Sequence, residues 1–188
     1  MNKLILGAVL SLAIFSTANA AEFVIDGTGA GMHTSVNFKA SHMGISSLWG
    51  RFNDIKGHFN YDPANIGAST IAVEINPASL DTNHKDRDTH LKSADYLDVT
   101  KFPEAGFVST AIVDKGDGKM GVTGDFTLRG VTKEITFDVV RTGEGDSPFG
   151  DYRAGFEGEA VIDAADYGLS ITPKSQLNLW FAIEGVRQ

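Results

Sequence analysis

Apolar and polar residues alternate with a period of two along most of this chain, and clusters of glycine and aspartate break the alternation at short intervals. The pattern runs through residues 34–38, 69–75, 107–113, 120–128, 132–140, 152–162 and 176–184. In the last of these, Leu177, Leu179, Phe181 and Ile183 fall on one face while Asn178, Ala182 and Glu184 fall on the other. Successive side chains of a strand point to opposite faces, so segments of this kind are half-buried strands with one face on a core. Turn residues separate them: Asp114 to Gly118 and Arg129-Gly130-Val131 are tight connections, and Gly143 to Pro148 is a longer one. With further strands near residues 23–26 and 50–61, we count about eight, a spacing that predicts an all-β sandwich or barrel. Alternation alone permits either.

One stretch departs from the pattern. Between Pro77 and Pro103 the chain is rich in Asp, His, Lys and Arg, and residues 86–94 suit a short helix. Leu91, Tyr96, Leu97 and Phe102 would anchor it. A connection of this length in a compact domain is usually structured or functional, and we expect an ordered crossover across one end of the strands.

The first twenty residues have a different character. Met1-Asn2-Lys3 is a short basic start, residues 4–15 are apolar apart from Gly7 and Ser11, and Ala18-Asn19-Ala20 supplies a small-x-small cleavage pattern. This order is that of a secretory signal peptide, cleaved between Ala20 and Ala21. The apolar run is shorter than the ~20 residues that span a bilayer. The expected organisation is therefore a leader over residues 1–20 and one domain over residues 21–188. No integral membrane span follows. Removing the leader takes one of 16 basic residues and none of 24 acidic ones, which shifts the net charge from −8 to −9. Nucleic acid is excluded as a partner, because phosphate binding needs clustered Lys and Arg. The chain has no cysteine, so disulfides, thiolate metal sites and thiol nucleophiles are excluded as well. Stability in an oxidising compartment must then come from the core.

Local motifs offer little chemistry. The run Gly116-Asp117-Gly118-Lys119-Met120-Gly121 matches a phosphate-loop spelling, but it lies between two strands and a hairpin turn accounts for it. Glu157 and Glu159 would share a strand face as a catalytic pair might, though a solvated outer face explains them. The five histidines His33, His42, His58, His84 and His90 lack metal-ligand spacing. We expect no metal, no cofactor and no catalytic residue.

Three blocks carry a family resemblance. Arg87-Asp88-Thr89-His90-Leu91-Lys92-Ser93, with Asp95-Tyr96-Leu97-Asp98 and Lys101-Phe102-Pro103, forms one. His33 to Phe38 with His42 to Ile45 and Gly50-Arg51-Phe52 forms another, and Gly124 to Thr132 the third. In this order they resemble the YceI-like family and span nearly all of the chain beyond residue 20. One departure lies at Asp163 to Gly168, where alanine stands in place of an arginine found in many relatives.

The resemblance implies an eight-stranded antiparallel lipocalin-like barrel with a short helical connection, located in the periplasm. It further implies an apolar tunnel holding a polyisoprenoid or other long-chain lipid, and a homodimer is compatible with it. An eight-stranded barrel is near the size at which side chains either fill the interior or leave room for one ligand. Inward strand positions nominate Phe38, Phe52, Phe59, Ile71, Val73, Phe107, Phe126, Phe137, Phe156 and Phe181 as tunnel walls. His33, His42, Arg87, Asp88 and His90 are candidates for the rim, or for bracing the connection against the barrel. We expect His33 and His90 to act as braces through the backbone, and Arg87, Asp88 and His90 to form one polar network. The competing classes are a ligand-free structural or stress-response module, a hydrolase using the acids between Asp81 and Asp98, and an outer-membrane barrel.

Overall fold

A computed structural model of the protein describes residues 20–27, 29, 33–169 and 176–188; the expected leader lies outside them except for its last residue. The strands are β1 (Ala21–Asp26), β2 (Ser35–His42), β3 (Ser46–Phe52), β4 (Ile55–Tyr61), β5 (Thr70–Ile75), β6 (Leu80–Asp81), β7 (Ala105–Gly116), β8 (Lys119–Leu128), β9 (Val131–Asp146), β10 (Tyr152–Asp163) and β11 (Gln176–Arg187). One helix, α1 (Lys85–Lys92), lies in the long connection before β7.

These eleven segments form eight staves: β1 and β2 both lie along β11, and β3 with β4, like β5 with β6, is a single strand broken by a corner. Strand β11 pairs with β2 from Leu177 opposite Ala40 to Ala182 opposite Ser35, and then with β1 at Val186 opposite Val24. On the far side β1 pairs with β4 and β2 with β3, while β5 pairs with β4 and β6 with β3. The remaining neighbours follow the chain from β5 through β7, β8, β9 and β10 to β11, all antiparallel. The β1–β11 contact closes the ring. A closed barrel, not a sandwich, is therefore the structure, and closure removes the exposed edges that an open sheet must protect.

The corners have identifiable chemistry. Between β3 and β4 the backbone N–H groups of Asn53 and Asp54 both donate to the Ser79 hydroxyl at 3.0 Å. Asn76 accepts from Ala78 N at 3.0 Å and starts the turn between β5 and β6. The sequence expectation of one strand over residues 50–61 is corrected by the first of these corners. A second correction concerns β7, where a bulge between Ser109 and Ala111 shifts the register against β8. One extra residue reverses the parity: Phe107 and Ile112 are buried, whereas Val113 points outward and is exposed.

The helix begins one residue before the expected span and ends two before its end. His84 caps it by accepting from Arg87 N at 3.3 Å, a role the sequence reading did not give it. Asp86 and Asp88 sit in its first turn and His90 and Lys92 in its last, each sign on the end of the helix dipole that favours it.

Candidate ligand-binding site

Every stave presents its inward residues to one lumen. Phe23 and Ile25 of β1, Val36 and Phe38 of β2, Met120, Val122 and Phe126 of β8, and Ile183 of β11 all belong to one buried cluster. The lumen is not filled. Two cavities lie along it, of about 120 Å³ and about 100 Å³. Each is of the order of an apolar cavity of ~150 Å³ that admits benzene and stays dry.

The first cavity is walled by Phe59, Ile71, Val73, Phe107, Phe126, Phe137, Phe156 and Phe181 among others. The second lies under the long connection and is walled by Phe38, Phe52, Leu80, Leu91, Tyr96, Leu97 and Leu169. All ten tunnel candidates thus line one cavity or the other. Val36, Ile75, Phe126 and Leu179 line both and form a waist between them. Polar residues on these walls are few and cluster at Asn60, Tyr61, Ser69 and Thr70 in the first cavity. Most of that polarity is already engaged: the Ser69 hydroxyl accepts from Asp62 N at 3.1 Å, and Asn60 donates to Thr70 Oγ1 at 3.4 Å. Burial pushes the Tyr61 hydroxyl above its ordinary range, opposed by the Arg141 charge.

Rings lie against the barrel wall because glycines occupy inward positions beneath them. A Cβ on Gly124 would stand 2.5 Å from Phe107 Cζ, one on Gly158 2.8 Å from the Phe181 ring, and one on Gly185 2.5 Å from Phe59 Cε1. The signal was present in the alternation, since each glycine takes an inward place beside apolar neighbours, but the sequence reading did not use it. Gly185→Ala should cost about 2 kcal/mol by overpacking, because its methyl also meets Phe23 Cβ at 2.8 Å. Urea denaturation measures the loss, and an unchanged midpoint would refute the notch.

The polar candidates separate. Arg87 and Asp88 converge on buried Thr82: Asp88 accepts from Thr82 N at 2.9 Å, and Arg87 Nε donates to Thr82 Oγ1 at 2.8 Å. These two brace the connection. His90 stands outside that network, packed edge-on against Tyr96 at 4.8 Å while its carbonyl accepts from Ser93. His33 is not at the connection at all. Its Nδ1 lies 3.4 Å from Glu184, on the outer wall, because the chain reaches β2 alongside β11. His42 is exposed at the end of β2. Asp88→Ala removes a charge-accepting group and strands a buried N–H, so it should cost about 2 kcal/mol. Hydrogen exchange would show the loss first in residues 82–104.

Outside the lumen, Arg153 joins Asp151 at 2.8 Å and Glu184 at 2.7 Å. The Arg153 hydrogen bond, then that of the Ser147 hydroxyl, draws the Asp151 carboxyl down to about 2. A depressed carboxyl stabilises the fold above its ordinary value and loses that contribution as pH falls through its folded value. The Asp151 carbon resonance should titrate with a midpoint near 2, and one near 4 would break the assignment.

Among the described residues, those suited to covalent chemistry do not gather in the lumen. Glu157 and Glu159 are exposed on the outer face of β10, and the Gly116 to Gly121 run is the β7–β8 turn, with Gly116, Asp117 and Gly118 at positive φ. Among the described residues no group of His, Asp and Glu could hold a metal ion.

A closed eight-stave barrel with an apolar lumen and a helical connection is the architecture the three sequence blocks implied. The profile of the YceI-like domain matches residues 28–184. The chain belongs to the YceI-like family. A UPF0312 protein of Vibrio campbellii is 45% identical over 183 residues, covering 97% of this chain and 96% of that protein. The Campylobacter jejuni YCEI protein superposes with a TM-score of 0.70 at 27% identity, over 86% of this chain and 94% of that one. A polyisoprenoid binding domain from Saccharophagus degradans shares the fold at TM-score 0.65 and 16% identity, over 90% of this chain and 99% of that one.

Proposed function

We propose that this chain is a periplasmic binding or carrier protein whose barrel encloses the tail of a polyisoprenoid or similar amphiphilic lipid. The carrying observation is the lumen itself: two cavities in series, walled by aromatic and aliphatic side chains, with polar groups confined to one region. A site of that kind recognises an apolar chain and little else. The Saccharophagus domain of the same fold, described as polyisoprenoid binding, supports the tail class.

Burying one methylene is worth about 0.8 kcal/mol, so about ten tail carbons, some five in each cavity, gain roughly 8 kcal/mol gross. That is the gain behind a Kd of the order of 1 μM before the cost of ordering the chain, and it needs no polar contact. A non-enzymatic role fits the same walls. Two acids of the connection are engaged in structural contacts, Asp88 at Thr82 and Asp81 at Arg51. The outer face also differs from that of a membrane barrel, which needs an apolar band. Here it carries the Thr123–Thr136 and Thr127–Thr132 hydroxyl pairs and the Lys115–Asp138 ion pair.

Native mass spectrometry of protein released gently from the periplasm, followed by lipid extraction, tests this reading. A bound prenyl or comparable lipid is expected. An empty barrel that also refuses offered isoprenoids would favour a ligand-free structural module.

A further inference from the structure

The β2–β3 hairpin differs in character from the rest of the molecule. The chain carries 24 acidic residues, yet none falls between Asp26 and Asp54. At the hairpin tip Met43 is 66% and Ile45 82% exposed. Behind the tip, on the outer face, Trp49 is 55% exposed and packs on Trp180 with ring centroids 5.2 Å apart. Lys39 Nζ stands 5.4 Å from the Trp49 ring. Asp81 pairs with Arg51 at 3.4 Å and Glu159 lies across from Trp180, so carboxylates mark the border of the patch while Lys39 holds its centre. The inner face of the same hairpin, through Phe38 and Leu48, walls the second cavity.

We propose that this hairpin docks the protein on the surface of a lipid bilayer bearing anionic headgroups. Met43 and Ile45 enter the acyl boundary, while Trp49 and Lys39 sit at headgroup level. Single exposed apolar residues are ordinary on a protein surface; the combination is not. An apolar tip backed by tryptophan and lysine is the arrangement that partitions into a membrane interface, where indole rings and snorkelling ammonium groups both find their preferred depth. The acidic net charge does not oppose it at contact. Fields beyond ~8 Å are screened at physiological salt, and the hairpin itself carries Lys39 and Arg51 and no carboxylate, with Asp81 and Glu159 as the carboxylates at its border. The proposal stands apart from the cargo reading, since it concerns where the protein sits whatever the lumen holds.

Both tryptophans of the chain lie in this patch, so intrinsic fluorescence reports on it directly. The protein without residues 1–20 is mixed with vesicles of phosphatidylethanolamine and phosphatidylglycerol, floated, and its emission recorded. Co-flotation, a blue shift and quenching by brominated acyl chains are expected. Met43 has φ 56°, a left-handed conformation that asparagine tolerates well. Met43→Asn combined with Ile45→Asp therefore strips the tip without straining the turn. The double variant should keep the wild-type melting temperature and lose affinity for vesicles by at least about tenfold. Lys39→Gln should weaken binding to phosphatidylglycerol vesicles more than to neutral ones. Wild-type protein that stays unfloated with unshifted emission overturns the proposal. So does a sedimentation profile in which these substitutions abolish a dimer while vesicles have no effect, since the patch would then face a second copy of the chain.

Discussion

Truncation of Tyr167 to alanine should destabilise the protein by about 4 kcal/mol, the upper part of the range for removing a large buried ring. Tyr167 is 2% exposed, and its ring meets Phe126 edge-on at 5.5 Å. It belongs to the turn Ala164–Tyr167, which follows β10 and closes one end of the barrel. Ala164 in that turn is fully buried, and Gly168 ends it in the left-handed conformation at φ 72°. Arg129, from the β8–β9 turn, donates to the Gly168 carbonyl and lies over the Phe102 ring at 5.7 Å. One arginine thus fastens the closing turn to the end of the connection. Because Phe126 is part of the waist, loss of Tyr167 should also free that ring and enlarge the lumen. Urea denaturation gives the stability, and uptake of a fluorescent apolar probe gives the lumen. A loss below about 1 kcal/mol, smaller than a truncated aromatic core residue normally costs, would show that the turn is not a structural floor.

The barrel was legible because alternation survives in nearly every stave. What alternation could not supply was closure, which depends on a short pairing at Val24 and Phe23 with the far end of β11; the family blocks supplied it instead. The wall residues were legible for the same reason. Phe38, Phe59, Phe126 and Phe181 each occupy an inward position, and a ring at an inward position of so narrow a barrel has nowhere to go but the lumen. Polar partners were much less accessible. Arg87 and Asp88 meet at Thr82 only because β6 ends beside the helix, and His33 reaches Glu184 across 151 residues of sequence. No local spacing encodes such a pair. The bulge in β7 shows the same limit on a smaller scale, since one unpaired residue reverses the facing of Ile112 and Val113 without any change in composition.

The waist makes the sharpest demand on the proposed function. Val36, Ile75, Phe126 and Leu179 stand between the two cavities, so a long tail must pass them, whereas a short one can remain on one side. Leu179→Trp fills that passage with an apolar ring and removes no wall. If it excludes about five carbons from the second cavity, some 4 kcal/mol of burial is lost, which is roughly a thousandfold in Kd for a long prenyl chain. A short prenyl alcohol confined to one cavity should bind about as well as before. The comparison of the two ligands carries the inference, because a variant that merely misfolded would lose both. Equal loss for short and long chains, or none for either, would mean that the tail does not run along the barrel axis.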